Sequence, residues 1–481
     1  DNMKTYRMLI GGQWVDAVSG KTFDDMNPFN GELYAKVPEA DARDVDRVMA
    51  AAYEARSQWA SAPAPVRSQF LLKAAQVLEA SRQEFAEVLT LEGGGTFGKV
   101  MFEISQTVDM LETAAADARY VVGETYSNDP TKISMTLRKP RGTIVAISPW
   151  NFPLVLSMYK ISYGLATGNT VVLKPASDTP VIGLKIGELF EKAGLPAGVF
   201  NVITGPGSVL GKALIDDRRC SFVAITGQTV TGREVARRAA ENLKECTLEL
   251  GGKNPIIILA DADLDYAVKS VVFSAFLHQG EICMSADRII VERPIVEEFT
   301  KAFVGFTAHL PVGDPSLPTT FIGPIINDAQ VQVIDAHVKD AVAKGATVLT
   351  GGSYQGRLYQ PTVLSGITPA MRIYYEETFG PVASIIPVSD EKEALAVAND
   401  TAYGLSAGVI TKDLEKALFL AEGLDVGMVH VNDGSIDADA CCPFGGCKES
   451  GQGREGGRYA VEKLTDLKWV TIQKTKRQLP F

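Results

Sequence analysis

The sequence predicts an α/β protein in which helices cover both faces of parallel β-sheets. From residue 142 onward, four short apolar runs alternate with segments of helical periodicity over 153–166, 180–194, 207–216 and 229–243; the runs are GTIVAIS, NTVVLKP, VFNVIT and SFVAITG. Continuous apolar runs are typical of strands that are buried on both faces, and their alternation with helices indicates βαβ units. The length of 481 residues allows two or three domains.

The segment before residue 142 has a different pattern. MLIGGQWVDA predicts two short strands with a turn at Gly11 and Gly12. Apolar residues then recur at spacings of three and four, which predicts helices over 43–60, 66–81 and 103–122. Pro65 suits a first helical turn, where its missing N–H costs nothing.

A second α/β unit is predicted after LELGGKN. The same alternation resumes with PIIILAD, a helix over 263–277 and RIIVER, so Gly251 and Gly252 mark the joint between the two units. Near the end of the chain, LTDLKWVTIQ alternates like an exposed strand. A lone strand needs a partner, and a second subunit is one candidate.

Composition narrows the classes of function. The net charge is -11 and the pI is about 5.1, which disfavours a nucleic-acid or membrane-surface partner. No stretch reaches the roughly 18 apolar residues that span a bilayer, and DNMKTYRMLIGGQWV lacks the pattern of a secretory signal, so we expect a cytoplasmic protein. Six cysteines and four scattered histidines give neither a disulfide framework nor the spacing of a metal site.

Several residues are candidates for chemistry, although spacing alone leaves a structural alternative open for each. The strand-to-helix turns GPGSVLG and ITGQTVTG carry glycines that either approach a phosphate or only permit the turn. Cys283 is either a nucleophile or a small buried hydrophobe. Glu249 is either a base or a solvated strand end, and Asn151 is either a hydrogen-bond donor to a ligand or ordinary turn chemistry.

Six motifs together resemble the aldehyde dehydrogenase superfamily over essentially the whole chain: SPWNFP, GNTVVLKPA, LELGGKNP, QGEICMS, EETFGPV and PFGGCKESGQGRE. Within that superfamily, LHQGEICMS and GREGGRYAVEKLTDLKWVTIQ are most similar to the bacterial vanillin, salicylaldehyde and benzaldehyde dehydrogenases. The resemblance implies the aldehyde dehydrogenase fold, with a Rossmann-like cofactor domain, an α/β catalytic domain and a small β oligomerisation element. The implied ranges are 1–121 with 141–251, 252–446, and 122–140 with 447–481. A homodimer or homotetramer is the implied assembly.

The resemblance also implies the chemistry. Cys283 attacks an aldehyde, Asn151 and the Cys283 backbone N–H hold the oxyanion, and Glu249 activates the water that hydrolyses the thioester. Glu455 matches a proposed proton relay, with a structural ion pair as the alternative. The predicted cofactor is NAD, NADP or both, and no metal is expected. With the two glycine-bearing turns, the predicted cofactor-binding residues are Trp150, Lys174, Ser177, Gly207, Gly211, Gly227, Gln228, Glu377 and Phe379.

The chain departs from the family pattern at two of these positions. Gln228 replaces a shorter serine beside the pyrophosphate. Ser177 stands where many NAD-specific members have a glutamate that repels a 2'-phosphate, so NADP remains a candidate.

An apolar and aromatic aldehyde pocket is implied, and it suits a planar ring: Phe152, Leu156, Tyr159, Ile282, Met284 and Phe444. The alternative is that these are core residues. Other activities stay open: an aliphatic, semialdehyde or coenzyme A-acylating dehydrogenase, or a catalytically silent relative. Segments 152–159 and 278–285 contain no Arg or Lys for a distal carboxylate, which weakens the semialdehyde alternative.

Overall fold

A computed structural model describes residues 4–481, and within this range the chain forms two α/β units and a small antiparallel sheet. The alternation of apolar runs and helices was therefore interpreted correctly. The first three residues, which we assigned to the cofactor-binding domain, lie outside the described residues. Within the described range, no helix has both the length and the apolar character needed to cross a membrane.

The N-terminal region begins with the predicted hairpin. Strands Met8–Ile10 and Gln13–Val15 pair antiparallel, and the turn uses Gly11 and Gly12 at φ values of 61° and 77°. Those left-handed conformations favour glycine, which has no Cβ. A three-stranded sheet lies beside the hairpin and consists of Lys4–Thr5, Thr22–Met26 and Leu33–Pro38.

The helical region contains one helix more than predicted. Its helices are Ala42–Ser61, Ala64–Ala80, Arg82–Gly93 and Phe97–Asp117, followed by a 3-10 turn at Ala118–Tyr120. The prediction missed the helix Arg82–Gly93 and started the last helix six residues late. Arg82–Gly93 buries only Phe85, Val88, Leu89, Glu92 and Gly93, so its apolar stripe is short.

The first α/β unit is an eight-stranded sheet. In spatial order its strands are Gly451–Gln452, Glu245–Glu249, Cys220–Thr226, Thr143–Ile147, Thr170–Lys174, Phe200–Val202, Met8–Ile10 and Gln13–Val15. The five strands between residues 143 and 249 are parallel. Their helices are Val155–Ala166, Pro180–Lys192, Gly207–Asp216 and Thr229–Glu241.

The order of these strands creates a place for a ligand. The chain moves from Thr143–Ile147 outward to Phe200–Val202, and then returns to Cys220–Thr226 on the other side of Thr143–Ile147. At such a reversal the connections leave toward opposite faces, so a crevice opens beyond the carboxyl ends of the two strands.

The second α/β unit is a seven-stranded sheet. Its strands, in spatial order, are Thr347–Thr350, Thr362–Ser365, Val382–Val388, Ala286–Glu292, Asn254–Ile258, Ser406–Ile410 and Met428–Val431. Its helices are Leu264–Phe276, Arg293–Thr307, Asp328–Ala343, Glu391–Asn399 and Leu414–Gly423. Shorter elements are the 3-10 turn Leu277–Gly280, the helices Arg372–Tyr375 and Gly457–Lys463, and the strand pairs Tyr354–Gln355 with Leu358–Tyr359 and Tyr403–Gly404 with Cys447–Lys448.

The C-terminal segment requires two corrections to its predicted role. Strand Thr465–Gln473 pairs along its length with Lys132–Pro140 of the same chain, which also pairs with Thr125–Tyr126, so it does not need a second subunit for its first partner. Gly451–Gln452, which we had placed in the tail, pairs with Glu245–Glu249 and belongs to the eight-stranded sheet. A two-residue strand has too little sequence to show periodicity.

Candidate active site

A cleft lies at the crevice between the two α/β units and has a volume of about 410 Å³. Seven separate segments of the chain line it. The predicted site residues among its lining are Trp150, Asn151, Gly227, Gln228, Cys283, Glu377 and Phe379. A second, mostly apolar pocket adjoins it, and Asn151 and Cys283 line both cavities. A molecule in the cleft and a molecule in the pocket would therefore meet at these two side chains.

Cys283 is half-buried, whereas every other residue in 274–292 is buried. Its carbonyl accepts a hydrogen bond from Asn254 Nδ2 at 2.7 Å, which fixes the backbone. A Cβ on Gly252 would lie 2.5 Å from that carbonyl, so glycine is required there. Burial, followed by the nearby carboxyls of Glu249 and Glu377, raises the pKa of the Cys283 thiol to about 12. The resting thiol is thus neutral and needs activation.

Asn151 follows the strand Thr143–Ile147 at the reversal point of the sheet. Its Nδ2 donates to the Glu281 carbonyl at 3.0 Å, two residues before Cys283 in the chain. A primary amide has two N–H donors, so one holds the side chain in place while the other can serve a ligand. The side chain is buried, which strengthens that second donor by excluding water.

Glu249 ends the strand Glu245–Glu249, and its side chain is buried. Within the described residues, neither carboxylate oxygen has a hydrogen-bond partner. Burial, followed by the charge of Glu455, raises its pKa well above the usual value, while Lys160 and Arg454 oppose that shift. A Cβ on Gly445 would lie 2.6 Å from Glu249 Oε1, so this glycine leaves room for the carboxyl. An unpaired buried carboxyl of raised basicity suits a general base.

Glu455 is paired with a residue that the sequence analysis did not single out. Lys160 Nζ lies 3.0 Å from Glu455 Oε1 and donates to Thr226 Oγ1 at 2.6 Å. Lys160 is buried in the protein interior, where an unpaired lysine would destabilise the fold. A lysine within the apolar helix 153–166 was therefore a usable signal. The ion pair places Glu455 in the electrostatic surroundings of Glu249.

Gly227 and Gln228 line the cleft, whereas Lys174, Ser177, Gly207 and Gly211 lie outside its lining. Lys174 is buried and its Nζ donates to the Pro175 carbonyl at 2.9 Å, which leaves further donors for ribose hydroxyls. A Cβ on Gly207 would lie 3.6 Å from that Nζ, so the two residues are adjacent. The helix Thr229–Glu241 starts after Gln228 without a side-chain cap, so its first N–H groups are available to a phosphate. Gly211 lies further along its helix, and nothing within 4 Å requires glycine there.

One end of the cleft fits a nicotinamide riboside. Glu377 Oε1 accepts from the Gly252 N–H at 3.0 Å, and a Cβ on Gly251 would lie 2.6 Å from Glu377 Oε2. Burial raises the pKa of Glu377 to about 7. Phe379 has a φ of 53° and meets Trp150 edge to face at 5.4 Å. Gln330, which we did not predict, holds the segment 377–379 in place. Its Nε2 donates to the carbonyls of Thr378 and Phe379 at 3.0 and 2.9 Å.

The second pocket contains all six residues that were predicted to bind the aldehyde. Phe152, Leu156, Tyr159, Ile282, Met284 and Phe444 line it, together with five that were not predicted: Phe102, Gln106, Val155, Ile436 and Ala438. Tyr159 and Phe444 pack with their ring centroids 5.5 Å apart. The Tyr159 hydroxyl is buried and has no partner among the described residues, and burial raises its pKa. It is a polar atom that is free to recognise a ligand.

One cluster of metal-type donors lies outside these cavities. Among the described residues, the donor atoms of Asp439, Cys441 and Cys442 come within 4.8 Å of one another, and all three residues are exposed. The predicted active-site residues are not part of this cluster.

The fold and the two cavities define a dinucleotide-dependent oxidoreductase with a central cysteine. The sequence profile described as "Aldehyde dehydrogenase family" matches residues 14–470. The chain therefore belongs to the aldehyde dehydrogenase family and is an NAD(P)-dependent aldehyde dehydrogenase.

Curated relatives and solved structures match nearly the whole chain. Vanillin dehydrogenase of Corynebacterium glutamicum is 41% identical over 97% of both chains, and salicylaldehyde dehydrogenase of Pseudomonas putida is 39% identical over the full length of both. A crystal structure of salicylaldehyde dehydrogenase from Pseudomonas putida G7 with salicylaldehyde has a TM-score of 0.97, with 38% identity and full coverage of both chains.

Solved relatives include users of either cofactor. An NAD-dependent aldehyde dehydrogenase from Sinorhizobium meliloti has a TM-score of 0.97 at 36% identity, covering 99% of this chain and 96% of its own. An E. coli NADP dependent enzyme has a TM-score of 0.96 at 35% identity, covering 98% and 99%.

The raised pKa of Cys283 gives a first prediction. Below that pKa, the reactive thiolate fraction should rise about tenfold per pH unit. In the protein without cofactor, alkylation of the Cys283 peptide by iodoacetamide should therefore accelerate steadily between pH 7 and 9, as followed by peptide mass. A rate that is already constant from pH 7 would mean that the thiol is ionised in the resting enzyme.

Ser177 gives a prediction about cofactor preference. It is exposed, and its Oγ donates to the Gly205 carbonyl at 3.3 Å, near Lys174. Two like unit charges about 4 Å apart repel by roughly 4 kcal/mol at an effective dielectric near 20, and solvent screening reduces this value. Ser177→Glu should therefore lower kcat/KM for NADP about 10- to 100-fold more than for NAD.

The control for this prediction is Ser177→Gln, because glutamine has nearly the same size as glutamate but carries no charge. Asp178 also lines the cleft, but it is present in every variant and does not affect the comparison. Equal losses with both cofactors, or a wild-type enzyme that does not use NADP, would show that another residue sets the preference.

Proposed function

We propose that this enzyme oxidises aromatic aldehydes of the benzaldehyde and vanillin type to carboxylic acids through a thioester on Cys283. The observation that carries the proposal is that Asn151 and Cys283 line both the cofactor-type cleft and the apolar pocket. An aldehyde carbonyl at that junction can contact the thiol and the amide together, while its ring lies among apolar side chains.

The first half-reaction uses Cys283 and Asn151. The Cys283 sulfur bonds to the aldehyde carbon, and its proton passes to a base or to water. The carbonyl oxygen becomes an oxyanion that accepts hydrogen bonds from Asn151 Nδ2 and the Cys283 backbone N–H. NAD or NADP, when bound in the cleft, supplies the hydride acceptor and a positively charged ring. After the aldehydic hydrogen has left, the acyl group remains on the Cys283 sulfur as a thioester.

The second half-reaction uses Glu249. Its carboxylate takes a proton from water, the resulting hydroxide attacks the thioester, and the acid leaves as the Cys283 sulfur regains its proton. We infer that Glu455, which pairs with Lys160 and whose charge acts on Glu249, passes the proton on. In this proposal water takes the acyl group from Cys283. In a coenzyme A-acylating enzyme, the thiol of coenzyme A would take it instead.

The pocket favours an aromatic substrate over an acidic one. No lysine or arginine is among its lining residues, so the distal carboxylate of a semialdehyde would lose its hydration without a cationic partner. A silent structural relative is disfavoured, because Asn151, Glu249 and Cys283 are all present and two of them meet at the junction.

The substrate class is tested with a panel of aldehydes. Burying an aromatic ring removes on the order of 100 Å² of apolar surface from water, about 2 to 3 kcal/mol. Benzaldehyde and its hydroxylated or methoxylated derivatives should therefore exceed acetaldehyde about 30- to 150-fold in kcat/KM, and succinic semialdehyde by more. A ranking with acetaldehyde or succinic semialdehyde above every aromatic aldehyde would reject the substrate class.

The free hydroxyl of Tyr159 gives a finer test of the same pocket. If it bonds a ring hydroxyl, Tyr159→Phe should reduce kcat/KM for 4-hydroxybenzaldehyde or vanillin about two- to tenfold, because a net hydrogen bond contributes about 0.5 to 1.5 kcal/mol. Benzaldehyde, which has no such group, is the internal control. An equal loss for benzaldehyde would indicate a packing role.

We also propose a homodimer or homotetramer. The edge of Thr465–Gln473 that does not face Lys132–Pro140 has no partner among the described residues, and Leu467, Trp469 and Ile472 are exposed beside it. An apolar free strand edge favours pairing with another chain. Light scattering in solution tests this proposal.

A further inference from the structure

A buried ion pair lies behind one wall of the aldehyde pocket. Phe152 lines the pocket, and Lys99 Nζ lies 4.4 Å from the centroid of its ring. Lys99 is only 1% exposed and is not a lining residue, so of these two side chains only that of Phe152 faces the pocket. An ammonium group at this distance from an aromatic face makes a cation–π contact.

The surroundings fix the position of Lys99 and pair it with a carboxylate. Lys99 and Glu103 lie one turn apart on the same helix, and Lys99 Nζ donates to Glu103 Oε2 at 2.5 Å. Glu103 Oε1 in turn accepts from the N–H groups of Leu154 and Val155 at 2.8 and 3.2 Å. The ion pair is therefore tied to the segment that carries Phe152. Burial lowers the pKa of Lys99, and the Glu103 carboxylate opposes that shift.

The other titratable groups close to this ring do not supply a competing positive charge. His278 packs edge to face with Phe152 at 5.5 Å, and burial together with Lys99 lowers its pKa well below the usual value, so it is neutral. Glu281 is buried, and its pKa is raised well above the usual value. The ammonium of Lys99 is thus the positive charge that acts on Phe152.

A cation at one face of a ring draws π-electron density toward itself, which leaves the opposite face poorer in electrons. A second ring that packs against that side is attracted more strongly when it is itself electron-rich, because the quadrupoles of the two rings govern their contact. We propose that Lys99, acting through Phe152, makes the aldehyde pocket selective for electron-rich aromatic rings, such as hydroxy- and methoxybenzaldehydes. This inference rests on the proposed function and assigns Lys99 as a positioning and specificity residue that does not touch the substrate.

The test compares two aldehydes of similar size, 4-methoxybenzaldehyde and 4-(trifluoromethyl)benzaldehyde, in several variants. Their intrinsic reactivities differ, but that difference cancels when the same ratio of kcat/KM is compared between proteins. The variant Lys99→Met with Glu103→Gln removes both charges, so no unpaired buried charge remains. In this variant the ratio of methoxy to trifluoromethyl substrate should fall about two- to fivefold. Lys99→Arg retains the charge and should keep the wild-type ratio.

A second variant provides a test if the double variant of Lys99 and Glu103 does not fold. Phe152→Leu removes the polarised ring and leaves the ion pair intact, so its ratio should fall in the same direction. Cyclohexanecarbaldehyde, which has no π-electrons, serves as a reference for general damage to the pocket. A ratio that is unchanged in the double variant, or in Phe152→Leu if the double variant does not fold, would overturn the inference.

The outcome also separates this inference from the proposed function. If the wild-type enzyme prefers aliphatic to aromatic aldehydes, the proposed substrate class fails. If the wild type prefers aromatic aldehydes but the ratio does not depend on Lys99, only the specificity role fails.

Discussion

Replacing Cys283 with alanine should abolish both reduction of the cofactor and covalent labelling by the aldehyde. No other thiol lines either cavity, so the loss in kcat should be on the order of 10⁴-fold or more, as for removal of other covalent nucleophiles. Cofactor reduction followed by absorbance, with intact mass after mixing with benzaldehyde, measures both effects.

Cys442→Ala is the matched control for this variant. Cys442 is exposed and lies outside both cavities, although it is two residues from Phe444 of the pocket. It should retain most of the activity. A substantial dehydrogenase rate in Cys283→Ala, or loss of the aldehyde adduct in Cys442→Ala, would place the nucleophile elsewhere.

Replacing Glu249 with glutamine should separate the two half-reactions. The amide cannot act as a base, so steady-state turnover should fall about 10²- to 10⁴-fold. The burst of reduced cofactor should remain, because Cys283 and Asn151 are intact. The nearby Glu249 carboxyl also raises the pKa of Cys283, so its removal should make the thiol easier to ionise.

Stopped-flow absorbance at high enzyme concentration measures the amplitude of this burst. Glu249→Asp is a useful comparison, since it keeps a carboxyl but shortens its reach. Disappearance of the burst in Glu249→Gln would mean that Glu249 is needed to activate Cys283 as well.

The sequence predicted the parts of the fold that depend on local pattern. Apolar runs on the parallel strands are continuous because both faces are covered, so the alternation with helices was visible without a structure. The helix Arg82–Gly93 and the strand Gly451–Gln452 were missed, since a short apolar stripe and a two-residue strand give no period to detect.

The candidate site was predictable only where motifs carry it. The motifs around Asn151, Cys283 and Glu377 place their predicted residues along the cleft or the adjoining pocket. The pocket wall made by Phe102, Gln106, Ile436 and Ala438 was not foreseen. These side chains come from a helix and a loop far apart in sequence, and only tertiary packing brings them to the same cavity.

The buried charges near the site were also not predicted from the sequence. Lys160 is unusual in its apolar helix but was not singled out, and Lys99 lies in a helix where the periodic pattern assigns no special role to a lysine. Their partners, Glu455 and Glu103, are 295 and four residues away. Burial turns both lysines into electrostatic elements of the site, and burial is a property of the folded chain.

The measurement that tests the central mechanism most directly is the location of the acyl group in Glu249→Gln. The variant would be mixed with 4-hydroxybenzaldehyde and NAD, quenched in acid during the burst, digested and mapped by mass. We expect one acyl group per reduced cofactor, on the peptide that carries Cys283. Reduced cofactor without an acyl adduct, or an adduct on the peptide with Cys441 and Cys442, would contradict this mechanism.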